Sequence, residues 1–147
     1  MPSEVLTVPA ATSSEALAHF EARLRFETDC SDVHTAMQSG KPDFVLVDVR
    51  SPELYAEGHA PGAVNIPHRA MTVERMAEYD KSTVFVVYCA GPHCNGANKA
   101  AIRLAKLGRP VKEMIGGVEG WKDEGLELHT KDGAEVREAH AGVHCGC

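Results

Sequence analysis

Cys89 is the residue in this sequence whose position points most directly to chemistry. It follows an apolar, β-branched run at 83–88, and the short loop 89–95 then leads into a segment with helical periodicity at 96–107. Backbone N–H groups converge where a loop enters a helix, and their field stabilises a thiolate and any anion bound beside it. The alternative is a buried structural cysteine, which is a common environment for free thiols. The strand–loop–helix setting favours a sulfur nucleophile.

The segments around this loop alternate between strands and helices. Helical patterns cover 13–27, 31–38, 72–79 and 96–107, with shorter helices after Ser51 and after Gly116-Gly117. Strand patterns cover 44–49, 64–66, 83–88 and 111–115. This alternation predicts an α/β fold with a central parallel sheet covered by helices on both faces. Ligands bind such sheets at the carboxyl ends of the strands, where Cys89, segment 48–50 and Gly116-Gly117 should meet.

Composition excludes several classes of function. The chain has 147 residues, which predicts one main domain, and its net charge of −6 without a Lys/Arg cluster argues against nucleic-acid binding. No apolar stretch is long enough to span a membrane, and the N-terminus lacks a signal-peptide pattern. We therefore expect a cytoplasmic protein. The five cysteines are an odd number, which does not suggest a disulfide framework.

The sequence divides into three predicted parts. Residues 1–30 form an N-terminal extension with one helix, residues 31–128 form the α/β domain, and residues 129–147 form a flexible tail. The tail carries His144, Cys145 and Cys147, which are residue types that bind metals. Their spacing matches standard zinc patterns poorly, so metal binding, a thiol relay and an inert tail all stay open.

Several motifs, in this order and spacing, resemble the rhodanese-like (sulfurtransferase) domain family over roughly residues 31–125. They are Asp48-Val49-Arg50 with Glu53, the segment Gly58-His59-Ala60-Pro61-Gly62-Ala63-Val64-Asn65-Ile66-Pro67, Tyr88-Cys89 before a loop and helix, and Gly116-Gly117 shortly before Gly120-Trp121. The resemblance implies the rhodanese-like fold. It also implies that Cys89 accepts a sulfane sulfur as a persulfide and that loop amides stabilise the sulfur anions.

The resemblance also implies the partners and the site. The predicted reaction moves sulfur from a small-molecule donor such as thiosulfate to a thiol or cyanide acceptor, and a protein acceptor is a further candidate. Neither a cofactor nor a metal is needed. Beside the catalytic Cys89, the residues predicted to bind the anionic substrate are Ala90, Gly91, Pro92, His93, Cys94 and Asn95. Lys99, Arg50 and Asp48 are candidate accessory residues.

The loop departs from the common family pattern in two ways. It is longer than in typical single-domain members, and it contains no Arg. Enlarged loops are reminiscent of rhodanese-fold phosphatases and arsenate reductases, but phosphate transfer through cysteine uses an Arg that clamps the phosphate oxygens. Asn95 occupies that position here, which argues against phosphatase or arsenate reductase chemistry.

Cys94 is a second thiol in the same loop, and its role stays open at this stage. It could attack a Cys89 persulfide, protect Cys89 from over-oxidation, pack beneath the helix start or help to bind a metal. Two alternative functions follow, namely a thiol redox sensor that uses Cys89 and Cys94, and a non-catalytic interaction module. For Asp48 and Arg50 we favour an ion pair, and for His59 a hydrogen bond that fixes the following turn.

Overall fold

The computed structural model describes residues 1–131 and a short strand at 135–136. Its helices are α1 (Ser13–Phe26), α2 (Cys30–Gln38), α3 (Pro52–Glu57), α4 (Val73–Met76), α5 (Gly96–Lys106) and α6 (Gly117–Asp123). Its strands are β1 (Glu27–Thr28), β2 (Val45–Asp48), β3 (Val64–Asn65), β4 (Phe85–Tyr88), β5 (Val111–Met114), β6 (Leu128–His129) and β7 (Glu135–Val136). Most of the predicted tail, with His144, Cys145 and Cys147, lies outside the described residues.

The central sheet has the strand order β1-β5-β4-β2-β3, and each of its neighbouring pairs is parallel. Strand β4 lies in the middle, and all four of its residues are buried. A continuous apolar run suits this position because a central parallel strand is covered on both faces. The predicted α/β fold with a covered parallel sheet is confirmed.

Two apolar cores lie on the two faces of the sheet. Phe85 and Val87 of β4 belong to the core that includes α4 and α5, whereas Val86 and Tyr88 belong to the core that includes α2 and α6. Alternate residues of a strand point to opposite faces, so one strand contributes to both cores. Cys89 follows immediately and joins the α5 side.

Three short strands lie where the sequence pattern predicted none. β1 comes from the segment 1–30, and its pairing with β5, Glu27 beside Glu113 and Thr28 beside Met114, makes it an edge of the main sheet. β6 and β7 form a separate antiparallel pair, and His59 bridges to His129 of β6. Two-residue strands are too short to show periodicity, so pattern reading misses them.

Helix α1 begins at residue 13, as the pattern over 13–27 predicts, and Thr12 caps it, because the Thr12 hydroxyl accepts a hydrogen bond from the backbone N–H of Glu15 at 3.3 Å. The apolar residues that gave this helix its periodicity remain exposed, with 62% of Leu17, 58% of Phe20 and 71% of Leu24 accessible. Among the described residues, no helix has both the length and the apolar character needed to cross a bilayer.

A buried ion pair joins the end of β2 to the segment after α3. Arg50 donates to Asp48 from Nε at 3.0 Å and from Nη2 at 2.7 Å, and its Nη2 also donates to the carbonyl of Gly58 at 2.6 Å. Burial opposes the charge of Arg50, but its hydrogen bond to Asp48 and the charge of that carboxylate outweigh this, so the pKa of Arg50 is raised. The pair therefore has the structural role that the sequence favoured.

Tyr88 connects this ion pair to the central strand. Its hydroxyl donates to Asp48 at 3.0 Å and accepts from the backbone N–H of Ala60 at 3.0 Å. Burial, reinforced by the charge of Asp48, raises the pKa of Tyr88 well above its ordinary value. The phenol is consequently neutral and serves as a fixed bridge.

His59 makes a structural hydrogen bond, as expected, but its side chain bonds back to helix α3 instead of to the turn that follows it. Its Nδ1 lies 2.8 Å from the carbonyl oxygen of Tyr55, and the two rings are stacked with centroids 3.7 Å apart. Burial lowers the pKa of His59, so the neutral imidazole is favoured, with its Nδ1–H donating to that carbonyl.

We predict that Asp48→Asn lowers the free energy of unfolding by about 3–5 kcal/mol, because Arg50 would remain buried without a charged partner. Urea unfolding followed by circular dichroism measures the change. The control is Glu78→Gln, which breaks the exposed Arg75–Glu78 pair and should cost less than about 1 kcal/mol. Equal losses in the two variants would contradict the importance assigned to the buried pair.

We also predict that acid destabilises the protein partly through His59. The folded state lowers the pKa of His59 below its ordinary value of 6.5, so the unfolded state binds the proton more readily. The free energy of unfolding should therefore fall as the pH drops below about 6.5. Urea midpoints at about pH 7.5 and pH 5.5 test this, since the two pH values lie on either side of the ordinary histidine pKa. His59→Gln should reduce the pH dependence, and an unchanged dependence would refute this assignment.

Candidate active site

Cys89 lies at the carboxyl end of the central strand β4 and is 2% exposed. The neighbouring strands β2 and β5 end at the same edge of the sheet, because all three run parallel. In an open α/β sheet this edge is where ligands bind. The buried strand therefore places the thiol where the sequence predicted it.

The loop after Cys89 turns back on itself before α5 begins. The backbone N–H of Cys94 donates to the carbonyl of Gly91 at 3.0 Å, which closes the turn. The backbone N–H of Gly96, the first residue of α5, donates to Cys94 Sγ at 3.4 Å. The N-terminus of an eleven-residue helix thus faces the loop, and its dipole favours negative charge there.

The N-terminus of α6 holds the start of the same loop. The backbone N–H of Val118 donates to the carbonyl of Cys89 at 3.1 Å, and that of Glu119 donates to the carbonyl of Ala90 at 2.9 Å. These contacts require Gly117, whose φ is +57° and whose absent Cβ would overlap the carbonyl oxygen of Cys89. The Gly-Gly motif is therefore explained by close backbone approach at a left-handed position.

The two loop sulfurs are in direct contact. Cys89 Sγ and Cys94 Sγ lie 3.1 Å apart. Cys94 is half-buried and packs against the core on the α5 side of the sheet. The sequence placed both thiols in one loop, and the folded loop brings their sulfur atoms together.

An open cavity of about 520 Å³ lies over the two thiols. Its walls are residues 89 and 91–95 of the loop, 97–98 of α5 and 113–117 between β5 and α6. Among these described residues, His93 is the one side chain able to carry positive charge, and Glu113 is the one carboxylate. The cavity thus contains little fixed positive charge, which distinguishes it from a phosphate site.

The remaining predicted residues lie around this cavity rather than in it. Ala90 is completely buried. Lys99 is exposed on α5 and is absent from the cavity wall, and Asp48 and Arg50 are buried in their own ion pair. Of the predicted loop, Gly91, Pro92, His93, Cys94 and Asn95 line the cavity together with Cys89.

Sequence reasoning missed the part of the wall that comes from the β5 end. Glu113 enters the site because β5 is the parallel neighbour of β4, with Glu113 beside Val87. The signal available in the sequence was that the predicted strand 111–115 ends directly before Gly116-Gly117. Which side chain faces the thiol depends on the register between strands, and register does not follow from a single strand pattern.

Cys30 is a further thiol near the site, but its chemistry is different. Its sulfur lies 3.6 Å from the carbonyl oxygen of Ile115 and 3.7 Å from that of Gly117, beneath the Gly-Gly turn. Burial, followed by the charge of Asp29, raises the pKa of Cys30 to about 12. Cys30 is thus a packed, protonated thiol. Among the described residues, no group of three or more His, Cys, Asp or Glu side chains is arranged to hold a metal.

We predict that Gly117→Ala destabilises the protein more than Gly125→Ala. Both glycines have positive φ, so both substitutions add about 1–2 kcal/mol of left-handed strain. Only the methyl group at position 117 would meet the Cys89 carbonyl, since nothing lies within 4 Å of the corresponding position at Gly125. Urea unfolding and the amide NMR shifts of residues 89–95 measure the difference. Equal stabilities with unchanged loop shifts would disprove the close approach.

Comparison with known proteins places this arrangement in a family. The chain is 41% identical over 95 residues to the HTH-type transcriptional regulator Rv0324 of Mycobacterium tuberculosis, covering 64% of this chain and 40% of the regulator. It thus matches less than half of that relative's length. It is 31% identical over 91 residues to a sulfurtransferase of Allochromatium vinosum, covering 62% of this chain and 83% of that protein.

A solved structure extends the comparison to three dimensions. The crystal structure of the BH2092 protein from Bacillus halodurans superposes with a TM-score of 0.80 at 37% identity, covering 87% of this chain and 92% of the other. The family model of the rhodanese-like domain matches residues 29–124, a segment that holds the central strand, the Cys89 loop and the Gly-Gly turn. This chain belongs to the rhodanese-like domain family.

Proposed function

We propose that this chain is a sulfurtransferase or persulfide carrier that works through Cys89. The observation that carries the proposal is the placement of the Cys89 thiol at the carboxyl end of β4, in a loop facing the N-terminus of α5 and beneath an open cavity. Membership of the rhodanese-like family and the similarity to a sulfurtransferase support it. An ordered nucleophile with access to solvent is what sulfur transfer requires.

The proposed reaction has two steps, the loading of sulfur onto Cys89 and its transfer to an acceptor. The Cys89 thiolate attacks the outer sulfur of a donor such as thiosulfate, the new sulfur–sulfur bond forms, and sulfite leaves with the electron pair of the old bond. A thiolate or cyanide acceptor then attacks the outer sulfur of the persulfide. This second step forms a new persulfide or thiocyanate and restores the Cys89 thiolate.

Not all of the backbone amides of residues 90–95 are available to bind the anion in this mechanism. Pro92 has no N–H to donate, and the amide of Cys94 is used by the Gly91 carbonyl. Ala90 lies outside the cavity wall, so the amides that we propose for the cradle are those of Gly91, His93 and Asn95. The field of the α5 N-terminus adds to them, and the His93 side chain lies in the same cavity wall.

The charged groups of the cavity wall bear on the identity of the sulfur donor. Thiosulfate carries two negative charges, whereas the described cavity wall offers one histidine and one carboxylate, Glu113. This balance favours a donor of lower charge, such as mercaptopyruvate or a low-molecular-weight persulfide. A thiol acceptor, small or on a protein, fits the same cavity.

A thiol redox sensor is the second candidate, and the 3.1 Å contact between Cys89 Sγ and Cys94 Sγ favours it. In that function the loop would form a reversible disulfide without consuming a sulfur donor. A non-catalytic interaction module has no comparable observation in its favour. Its function would not need a thiol beneath an open cavity.

Donor cleavage under anaerobic conditions tests the sulfurtransferase. Reduced protein is mixed with thiosulfate or mercaptopyruvate, and sulfite or pyruvate is measured. We predict one product molecule per chain in a single turnover, and transfer of the bound sulfur to thiocyanate when cyanide is present in large excess. Cys89→Ser should abolish both reactions because the hydroxyl does not form the sulfur–sulfur bond.

Cys30→Ser is the matched control. It makes the same replacement of sulfur by oxygen at a packed thiol outside the cavity wall, and it should retain donor cleavage. Cleavage of neither donor, combined with a reversible disulfide in the tryptic peptide 82–99, would favour the redox sensor instead. That peptide carries Cys89 and Cys94 and no other cysteine.

A further inference from the structure

The proposed transfer uses Cys89 and leaves Cys94 without a function, although the fold keeps the two sulfurs in contact. The turn closed by the Cys94 N–H and the Gly91 carbonyl directs the second thiol back toward the first, and their Sγ atoms lie 3.1 Å apart. Packing of Cys94 against the core on the α5 side restrains it further. A thiol held in contact with a nucleophilic sulfur is positioned to react with whatever that sulfur carries.

A backbone hydrogen-bond donor lies against the sulfur of Cys94. The backbone N–H of Gly96 donates to its sulfur at 3.4 Å, and this amide belongs to the first turn of α5. A helix N-terminus stabilises a thiolate through these amides and through its dipole. Cys94 therefore has the environment of an attacking thiol in addition to that of a packed side chain.

The side chains of the cavity wall bear on whether a released sulfur anion stays bound. Its described wall holds the carboxylate of Glu113 and no Lys or Arg. A sulfur anion released there is therefore not clamped by a guanidinium or ammonium group of the described wall. The loop amides and the α5 N-terminus stabilise the anion while it forms, and a small anion that no cationic side chain clamps can then leave through the open cavity.

We propose that Cys94 resolves the Cys89 persulfide and releases its sulfur as hydrosulfide, which makes the loop a persulfide-reducing site. This inference rests on the proposed sulfur loading of Cys89. The Cys94 thiolate attacks Cys89 Sγ, the Cys89–Cys94 disulfide forms, and the bond from Cys89 Sγ to the outer sulfur breaks. The outer sulfur leaves with the electron pair as HS⁻, so it is reduced by two electrons while the two thiols are oxidised to the disulfide.

A low-molecular-weight thiol then restores the loop. Two molecules of this thiol reduce the Cys89–Cys94 disulfide through a mixed disulfide, and they leave as one oxidised disulfide. The sum of the cycle converts sulfane sulfur and two thiols into hydrosulfide and a disulfide. The cavity above the two sulfurs gives such a thiol access.

The test is an anaerobic single turnover without added thiol. Reduced full-length protein receives one equivalent of mercaptopyruvate, and pyruvate, hydrosulfide and the mass of peptide 82–99 are measured together. Wild type should release one hydrosulfide per pyruvate, and its peptide should become lighter by two hydrogen atoms. Cys94→Ser should form pyruvate, release no hydrosulfide and keep the extra sulfur on the peptide. Cys94→Ala should behave in the same way, and Cys30→Ser should behave as wild type.

The outcomes distinguish failure of sulfur loading on Cys89 from failure of the resolving step by Cys94. If wild type and Cys94→Ser both keep the extra sulfur, Cys89 loading stands and the resolving role of Cys94 is overturned. If hydrosulfide release persists in Cys94→Ser and is lost only on replacing Cys145 and Cys147, the tail thiols are responsible and the inference is also overturned. If no variant forms pyruvate or sulfite from either donor, the sulfurtransferase proposal fails, and with it the inference.

Discussion

The buried carboxylate of Asp48, the last residue of β2, is the constraint on which the position of the Cys89 loop depends. It accepts hydrogen bonds from the side chain and the backbone N–H of Arg50, and a further one from the hydroxyl of Tyr88. Tyr88 is the residue directly before Cys89, so the central strand is fixed at its last residue. A buried charge is tolerated only when its partners keep their geometry. The network thus holds the strand end rigidly while its charged groups stay out of the cavity.

Two helix N-termini continue this control beyond the strand. α6 donates backbone hydrogen bonds to the carbonyls of Cys89 and Ala90, and α5 begins at the amide that contacts Cys94 Sγ. Helix α6 therefore fixes the start of the loop by hydrogen bonds to the loop carbonyls, and helix α5 stabilises negative charge at the end of the loop. Glycine is needed at position 117 because a Cβ there would occupy the place of the Cys89 carbonyl oxygen. The two loop sulfurs are consequently positioned by backbone contacts, which few substitutions in the loop itself would alter.

The elements that the sequence predicts well are those whose burial is complete or whose ends carry a clear signal. β4 is covered on both faces and reads as an unbroken apolar run, and α1 starts at a recognisable cap. The edge strand β1 has only two residues, so it left no pattern and its segment was assigned to the N-terminal extension. The apolar positions of α1 predicted a helix correctly, yet Leu17, Phe20 and Leu24 stay exposed, because periodicity specifies a face and not what covers it. At the site, the sequence predicted Cys89 and its loop, but the contact between the two sulfurs depends on the fold of the turn, and Glu113 depends on strand register.

The contact between Cys89 and Cys94 sets a competition that governs the proposed chemistry. A diffusing acceptor must enter the cavity and reach the outer sulfur of the persulfide, whereas Cys94 attacks the inner sulfur from within the same loop. The attack by Cys94 is intramolecular and needs no association step. It is therefore faster than attack by a dilute acceptor that does not bind in the cavity. Sulfur transfer to another molecule therefore requires an acceptor that occupies the cavity first, or one that moves Cys94 away from Cys89. If the proposed chemistry holds, the acceptor's affinity for the cavity, and not the reactivity of Cys89, decides whether the loop delivers its sulfur or releases it as hydrosulfide.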